Sequence, residues 1–224
     1  MELRAEQISK RYFRKTGAAN WFYAVKPLDL ALEPGTVTVL CGRSGSGKTT
    51  LLHMLAGLLR PTEGKVRLGE TDLYSLPDRE LSALRSRSIG VVPQSRSVLD
   101  ILTVTENILL PQTLYGGETD LQSAERWMDT LHILPLRDAR AGELSGGELR
   151  RTAIARTLCL NPPVILADEP TGDLDDENTE LVFRCFRKAA EDGAAVLIVS
   201  HEADALKIAD RAYRMDGGEM TMIG

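Results

Sequence analysis

The stretch Gly42–Thr49, which reads GRSGSGKT, constrains the fold of this chain more than any other feature. Within it, Gly42, Gly47, Lys48 and Thr49 have the spacing of a phosphate-binding loop. A short run rich in β-branched residues, TVTVLC, precedes the loop, and a helical stretch, TTLLHMLAGLL, follows it. In such a strand–loop–helix unit, backbone N–H groups at the helix N-terminus converge on phosphate oxygens. The sequence therefore predicts an α/β fold that binds a nucleoside triphosphate.

The residues predicted to hold the triphosphate lie in this loop and at the start of the following helix. Lys48 is placed to reach the β- and γ-phosphates, and the hydroxyl of Thr49 is placed to coordinate Mg²⁺. The helical pattern also predicts that one face of this helix carries Leu51, Leu52, Leu55 and Leu58. The predicted ATP-binding residues of this segment are Gly42, Arg43, Ser44, Gly45, Ser46, Gly47, Lys48, Thr49 and Thr50.

Length, composition and charge limit the classes of protein to which the chain could belong. A chain of 224 residues that is 43% hydrophobic can bury a substantial core, as one large domain or as a core with a subdomain. The net charge of −5, with dispersed cations, gives no support for nucleic-acid binding through a basic surface. Three cysteines without metal-ligand spacing predict reduced thiols in a cytosolic protein. The charged start predicts no secretory signal, and no apolar run is long enough to span a bilayer, so we expect any membrane role to require a partner.

Polar residues follow three runs that have the character of buried strands. The runs PVILADEP and AAVLIVSHE are apolar before their polar ends, which predicts parallel strands covered on both faces. Ligands bind beyond the carboxyl ends of such strands. Asp168 is predicted to hold Mg²⁺ and Glu169 to polarise the attacking water as general base. Gln94, after IGVVP, is placed to touch the metal or that water, and His201, after VLIVS, to contact the γ-phosphate. The predicted metal ligands are Thr49, Gln94 and Asp168, and the predicted catalytic residues are Glu169, His201 and Lys48.

The middle of the chain has a different character. Residues 95–161 are mostly helical in pattern, as in the amphipathic DLQSAERWMDTLHIL, and lack apolar runs of strand length. We therefore expect a helical subdomain at 95–161, inserted into a nucleotide-binding α/β core formed by 1–94 and 162–224, within a single domain.

A second glycine pair lies in this helical region. Ser145 precedes Gly146 and Gly147 and is a good helix N-cap, and ELRRTAIAR continues as a helix. The glycines allow an anion to approach the backbone closely at that helix N-terminus. Such a site offers N–H groups and a dipole but has neither a lysine nor a metal ligand, so it is half of a phosphate site.

Six motifs in this order resemble the ATPase subunit of an ATP-binding-cassette (ABC) transporter, over essentially the whole chain. The resemblance implies a RecA-like P-loop NTPase core with a mainly parallel sheet, an N-terminal antiparallel β subdomain and an inserted α-helical subdomain. It also implies that two ATP molecules are sandwiched in a head-to-tail dimer, where the serine and glycines of one subunit cap the γ-phosphate held by the other. The motifs are the phosphate loop, Gln94, the signature Leu144, Ser145, Gly146, Gly147 and Glu148, the pair Asp168 and Glu169, the dimer-interface loop Asp173, Leu174 and Asp175, and His201.

Further roles follow from the resemblance alone. Tyr12 resembles the aromatic residue that stacks on adenine, with Phe13 as the alternative, although the segment between Tyr12 and the phosphate loop is slightly long for the family. Asp175 matches the aspartate that links the two ATP sites across the dimer. Gln94 would join the core to the helical subdomain, whose groove receives a helix of the membrane protein.

The sequence departs from the family pattern at two places. Glu148 replaces a commoner glutamine, and the usual proline before the signature is missing from Ala141–Glu143. Together with ADEPTGDLD, Glu148 is similar to the branch of lipoprotein-release, macrolide-export and cell-division ATPases. The resemblance implies ATP and Mg²⁺ as cofactors. It implies a second ATPase subunit and an integral-membrane permease as partners, and a cytoplasmic location on the inner face of the cell membrane. In this family the permease chooses the cargo.

Three other functions compete with this interpretation. Soluble ABC ATPases of DNA repair or translation usually carry coiled-coil insertions, zinc motifs or two cassettes, and this sequence has none of these. A non-catalytic nucleotide switch would be favoured by the loss of Lys48, Glu169 or His201, and all three are present. An importer ATPase would differ in its membrane partner.

Overall fold

Two β-sheets and six α-helices make up the part of the chain that the structure describes. The computed structural model describes residues 1–16, 18–95, 97–115 and 118–224, except for the side chains of residues 16, 18–20 and 203. The strands are β1 (Leu3–Thr16), β2 (Ala18–Leu32), β3 (Val37–Cys41), β4 (Glu63–Leu68), β5 (Thr71–Asp72), β6 (Ile89–Val92), β7 (Val164–Asp168), β8 (Ala195–Val199), β9 (Arg211–Asp216) and β10 (Glu219–Met222). The helices are α1 (Lys48–Leu55), α2 (Asp78–Ser88), α3 (Val104–Leu114), α4 (Leu121–Thr130), α5 (Gly146–Cys159) and α6 (Asp176–Glu191). Short 3₁₀ turns lie at Leu73–Ser75, Leu134–Leu136, Ala141–Glu143 and Ala203–Ile208.

The larger sheet carries the site. Its six strands run in the order β10-β9-β3-β8-β7-β6, and every neighbouring pair is parallel except β9 and β10. Because β3, β8 and β7 are adjacent and parallel, their carboxyl ends lie side by side at one edge. The predicted mainly parallel core is confirmed.

Both faces of this sheet are covered, which explains why its central strands are almost wholly apolar, with Thr38 in β3 and Asp168 at the end of β7 as buried polar residues. Along β3, Leu40 packs into one buried cluster and Val39 into the other. The first cluster includes Leu51 of α1, and the second includes Ile154 of α5 and Phe186 of α6. Alternate residues of a strand point to opposite faces, so a strand that is covered on both faces needs apolar side chains at nearly every position.

The smaller sheet and the middle helices complete the fold. The strands of the smaller sheet are antiparallel, in the order β2-β1-β4-β5, and this sheet packs over α1. The helices α3, α4 and α5 come between β6 and β7 in the sequence and pack on one another. The predicted antiparallel β subdomain and helical insertion are therefore present.

The helix after the phosphate loop is shorter than its pattern predicts. Helix α1 ends at Leu55, and Gly57 adopts the left-handed conformation (φ 68°). Leu51 and Leu55 are fully buried, whereas Leu58 is 55% exposed, so the predicted common face with Leu58 is wrong. The reason is that the turn at Gly57 redirects the chain before Leu58.

Among the described residues, no helix combines the length and the apolar character needed to cross a bilayer.

Candidate functional site

The phosphate loop connects the end of β3 to the start of α1, at the edge where β7 and β8 also end. Gly47 has φ 110°, and a Cβ at this position would lie 2.1 Å from the carbonyl oxygen of Ala24. A Cβ on Gly42 would lie 2.2 Å from the carbonyl oxygen of Met215. Neighbouring backbone therefore fixes the position of the loop, and a side chain at either glycine would displace it.

The ammonium group of Lys48 lies within the loop. Its Nζ donates hydrogen bonds to the carbonyl oxygens of Gly42 (2.7 Å) and Arg43 (3.0 Å), and the residue is largely buried. The hydroxyl of Ser46 is buried without a hydrogen-bond partner among the described residues, and nothing lies within 4 Å of a Cβ built on Gly45. The Lys48 ammonium group, the Ser46 hydroxyl and the open space beside Gly45 are together suited to bind a phosphate group.

Thr49 and Asp168 meet beside the loop. Thr49 Oγ1 donates a hydrogen bond of 2.8 Å to Asp168 Oδ2, although the two residues lie on different elements. Burial raises the pKa of the Asp168 carboxyl. The hydrogen bond from Thr49 opposes this, and the negative charge of Glu169 adds to it.

The donor set here fits Mg²⁺. Mg²⁺ takes oxygen ligands and is usually held by one or two carboxylates together with substrate phosphates. Among the described residues, no cluster of three or more His, Cys, Asp or Glu side chains forms a metal site. Thr49 and Asp168 supply one hydroxyl and one carboxylate beside the loop, which leaves coordination positions for phosphate and water.

Glu169 and His201 face each other across the ends of β7 and β8. His201 Nδ1 lies 2.8 Å from Glu169 Oε2, and the Glu169 side chain is 13% exposed while that of His201 is 69% exposed. The backbone of Glu169 is left-handed (φ 47°), an unusual conformation for a residue other than glycine. The carboxylate therefore lies at the wall of the site, with an imidazole at its outer side.

A single cavity of about 770 Å³ gathers these groups. It contains the predicted Asp168, Glu169 and His201 next to the loop, whereas Tyr12 and the predicted signature residues lie outside its lining. Arg150 and Gly172 line the cavity although the sequence analysis did not single them out. The lining consists of Gly42, Arg43, Ser44, Gly45, Ser46, Gly47, Lys48, Thr49, Thr50, Gln94, Arg150, Asp168, Glu169, Gly172, Asp173 and His201.

Arg150 joins the helical region to the cavity. Its guanidinium donates to the carbonyl oxygens of Pro93 (2.7 Å) and Gln94 (2.6 Å) and lies 3.5 Å from a carboxylate oxygen of Asp173. Arg150 is 9% exposed, so these partners replace most of its hydration. Arg150 stands four residues after Gly146 on α5, and helical spacing alone would have placed both on one face.

The signature segment begins α5 and faces outward. Ser145 is the N-cap, and its hydroxyl and backbone N–H both donate to Glu148 Oε2 at 2.7 Å. These hydrogen bonds, the one from the hydroxyl first, lower the pKa of Glu148. Ser145 and Gly146 are exposed. Glu148 therefore completes a capping box, which accounts physically for an acidic residue at this position.

The predicted dimer-interface loop packs against the signature helix. Asp173 lines the cavity, and a Cβ on Gly147 would lie 3.3 Å from Leu174 Cδ2. Asp175 caps α6, because its carboxylate accepts from the backbone N–H of Asn178 at 2.8 Å, and this bond lowers its pKa. Within one chain, Asp175 therefore acts on its own helix.

Tyr12 and Phe13 occupy opposite faces of β1. The Tyr12 ring lies 6.1 Å from that of Phe22, and the Phe13 ring lies 5.3 Å from that of Trp21. Both are partly exposed. Because consecutive residues of a strand alternate, one of these two rings at most can face a given ligand.

Comparisons with known proteins extend over nearly the whole chain. A sequence family described as "ABC transporter" matches residues 25–172. The uncharacterized ABC transporter ATP-binding protein YvcR of Bacillus subtilis is 38% identical over 96% of this chain and 84% of its own length. The ATP-binding protein LolD of the lipoprotein-releasing system of Aquifex aeolicus is 38% identical over 97% of this chain and 95% of its own. The dimeric structure of MJ0796, a bacterial ABC transporter cassette, has a TM-score of 0.90 at 31% identity, with 99% of both chains covered. Its post-hydrolysis dimer bound to ADP and Pi matches with the same values.

Proposed function

The chain belongs to the ATP-binding proteins of ABC transporters, and from this premise we propose that it drives a separate membrane permease through ATP-dependent dimerisation. It is an ATPase that binds and hydrolyses ATP. The observation that carries the proposal is the cavity that gathers the cation of Lys48, the carboxylate of Asp168 and the Glu169–His201 pair.

The phosphate loop holds the triphosphate in this proposal. Lys48 exchanges its bonds to the loop carbonyls of Gly42 and Arg43 for β- and γ-phosphate oxygens, and Ser46 contributes its hydroxyl, which has no partner within the described part of the chain. Thr49, Asp168 and Gln94 would hold Mg²⁺, which neutralises phosphate charge when it is bound.

Glu169 acts as the general base. It accepts a proton from a water molecule while the water oxygen bonds to the γ-phosphorus and the bond to the bridging oxygen of ADP breaks. His201, whose Nδ1 lies 2.8 Å from Glu169 Oε2, holds the carboxylate and contacts the γ-phosphate from the outer side. The products are ADP and inorganic phosphate.

A second copy of the chain completes each site. Ser145 and Gly146 are exposed and lie outside the lining of the cavity in their own chain, which suits a role toward the γ-phosphate on a partner. The dimeric cassette among the structural relatives supports a homodimer. Leu144, Gly147 and Glu148 would belong to the same surface, and Asp173, Leu174 and Asp175 would lie at the dimer interface.

The permease and the location complete the proposal. Residues 1–94 and 162–224 would form the nucleotide-binding core, and 95–161 the helical subdomain that contacts the permease on the inner face of the cell membrane. The LolD relatives of Aquifex aeolicus and Desulfotalea psychrophila support the lipoprotein and export branch rather than an importer.

Changing Asp168 to Asn tests the predicted Mg²⁺ ligand. We expect Mg²⁺-dependent ATP turnover to fall roughly a hundredfold, because a charged ligand beside the phosphates is lost. The melting temperature without nucleotide should stay the same or rise, since the fold disfavours the charged form of this buried carboxyl. Turnover across a Mg²⁺ titration and thermal unfolding are the measurements.

Asp192→Asn is the matched control, because Asp192 is an exposed residue bonded to Lys188 at the end of α6. It should leave turnover unchanged. Full turnover in Asp168→Asn would contradict the assignment of Asp168.

Changing Tyr12 to Ala tests adenine stacking. Loss of one aromatic–base stack costs about 1–3 kcal/mol, which predicts a Kd for ATP roughly 5- to 150-fold higher. Tyr12→Phe should retain the affinity, and Phe13→Ala should match the unchanged chain because Phe13 lies on the other face. Equilibrium binding of a fluorescent ATP analogue measures all three, and a larger loss in Phe13→Ala would reverse the assignment.

A further inference from the structure

Two side-chain hydrogen bonds tie the loop after β7 to the loop after β8. One joins Glu169 to His201 within the proposed catalytic site. The other runs from Thr171 Oγ1 to Glu202 Oε2 at 2.8 Å, two residues further along the first loop and one residue further along the second. The proposed hydrolysis mechanism uses only the first.

The second bond lies in the more buried position. Thr171 is 1% exposed, and Glu202 is half-buried. The backbone N–H of Glu202 donates to Ser200 Oγ at 3.0 Å, and Ser200 is fully buried. Glu202 is therefore fixed through both its backbone and its carboxylate, whereas the side chain of its neighbour His201 is mostly exposed.

The backbone of Glu169 needs such support. Its left-handed conformation is unfavourable for a residue with a side chain, and the following Pro170 favours an extended conformation at the residue before it. Local sequence therefore opposes the observed conformation, and contacts from elsewhere must hold it. Besides the exposed side chain of His201, two buried contacts do this: the backbone N–H of Glu169 donates to the carbonyl oxygen of Val199 at the end of β8 (2.8 Å), and Thr171, two residues on, is bonded to Glu202.

We propose that Glu202, acting through Thr171, is a positioning residue that holds the strained backbone of Glu169 and so aims its carboxylate at the attacking water. The inference rests on the proposed function of Glu169 as general base. When the bond between Thr171 and Glu202 is broken, the backbone of Glu169 relaxes toward the extended conformation. Its carboxylate then moves away from the attacking water, while the phosphate loop is unaffected.

Four single variants and one double variant test the bond itself. Glu202→Ala and Thr171→Val remove it, whereas Glu202→Gln and Thr171→Ser keep an acceptor and a donor. We expect the first two to lower kcat by about ten- to a hundredfold, the effect of a misplaced catalytic group, with KM for ATP within about twofold of the unchanged chain. The conservative pair should retain most of the activity. The double variant Glu202→Ala/Thr171→Val should be no slower than the slower single variant, because both remove one interaction.

Two further measurements separate the possible outcomes. Equilibrium binding of a fluorescent ATP analogue and thermal unfolding should match the unchanged chain in Glu202→Ala, whose half-buried site tolerates truncation. Glu180→Ala, at an exposed residue paired with Arg184 on α6, is the matched control. Equal losses in Thr171→Ser and Thr171→Val, additive losses in the double variant, or a fall in ATP affinity as large as the fall in kcat would overturn the proposal.

Glu169→Gln in the same assay tests the proposed base separately, because a fully active Glu169→Gln would refute that role whatever Glu202 does.

Discussion

Replacing Glu169 with glutamine is expected to lower ATP turnover by roughly a hundredfold to ten-thousandfold, the range lost with a general base. Glutamine keeps the size of the side chain and can still bond to His201, which lies 2.8 Å from the carboxylate. It cannot accept the proton of the attacking water. ATP binding should persist, because Lys48 and the rest of the phosphate loop are unchanged.

ATP-bound dimers should therefore accumulate in this variant. Light scattering with Mg²⁺ and ATP should show a stable dimer of Glu169→Gln, while the unchanged chain should return to monomer as ATP is consumed. Glu191→Gln, at an exposed glutamate paired with Arg187, is the control and should hydrolyse ATP normally. Undiminished hydrolysis in Glu169→Gln would show that another group activates the water.

The second large effect is expected from Ser145→Arg. Ser145 is exposed at the N-terminus of α5, where the proposed dimer brings it against the γ-phosphate held by the other subunit. A long guanidinium side chain should prevent that approach. The γ-phosphate would then lose the N–H and hydroxyl contacts from the other subunit, which should lower turnover by about a hundredfold or more. Binding of ATP to the monomer should remain largely intact, because Ser145 lies outside the cavity of its own chain.

The effect of losing the helix cap on stability must be separated from the effect of Ser145→Arg on dimer formation. Ser145→Arg removes the capping box with Glu148, which costs about 1 kcal/mol of stability. Thr103→Arg removes the same kind of capping box, formed with Glu106 at the start of α3, and serves as the matched control. Thermal unfolding should report similar losses in both, whereas only Ser145→Arg should lose turnover and ATP-dependent dimerisation. Loss of ATP binding by the Ser145→Arg monomer would contradict a role toward the other subunit.

Much of the fold and site could be predicted from local patterns. The spacing of Gly42–Thr49 predicted a strand–loop–helix unit, and the structure places this loop between β3 and α1. Apolar runs predicted the central parallel strands, because strands covered on both faces need apolar side chains at nearly every position. Asp168, Glu169 and His201 each come at the end of such a run. Because the carboxyl ends of neighbouring parallel strands lie side by side, all three residues line one cavity.

Other features could not be predicted in this way, because they depend on packing between distant segments. Helix α1 ends at Leu55 although its apolar pattern continues to Leu58. Arg150 looks like an ordinary charge on a basic helix, and only the packing of α5 against the end of β6 brings it to the carbonyls of Pro93 and Gln94.

The sequence by itself determined the strand–loop–helix unit, the acidic strand end and the order of the motifs, because these follow from short-range spacing and hydrophobic pattern. Only the tertiary structure decided the left-handed backbone of Glu169, which its neighbour Pro170 opposes. The same holds for the bond between Thr171 and Glu202, which lie 31 residues apart in the chain. The physical reason is that neighbouring parallel strands bring distant residues together, and the contacts they form outweigh the local preference of a single residue.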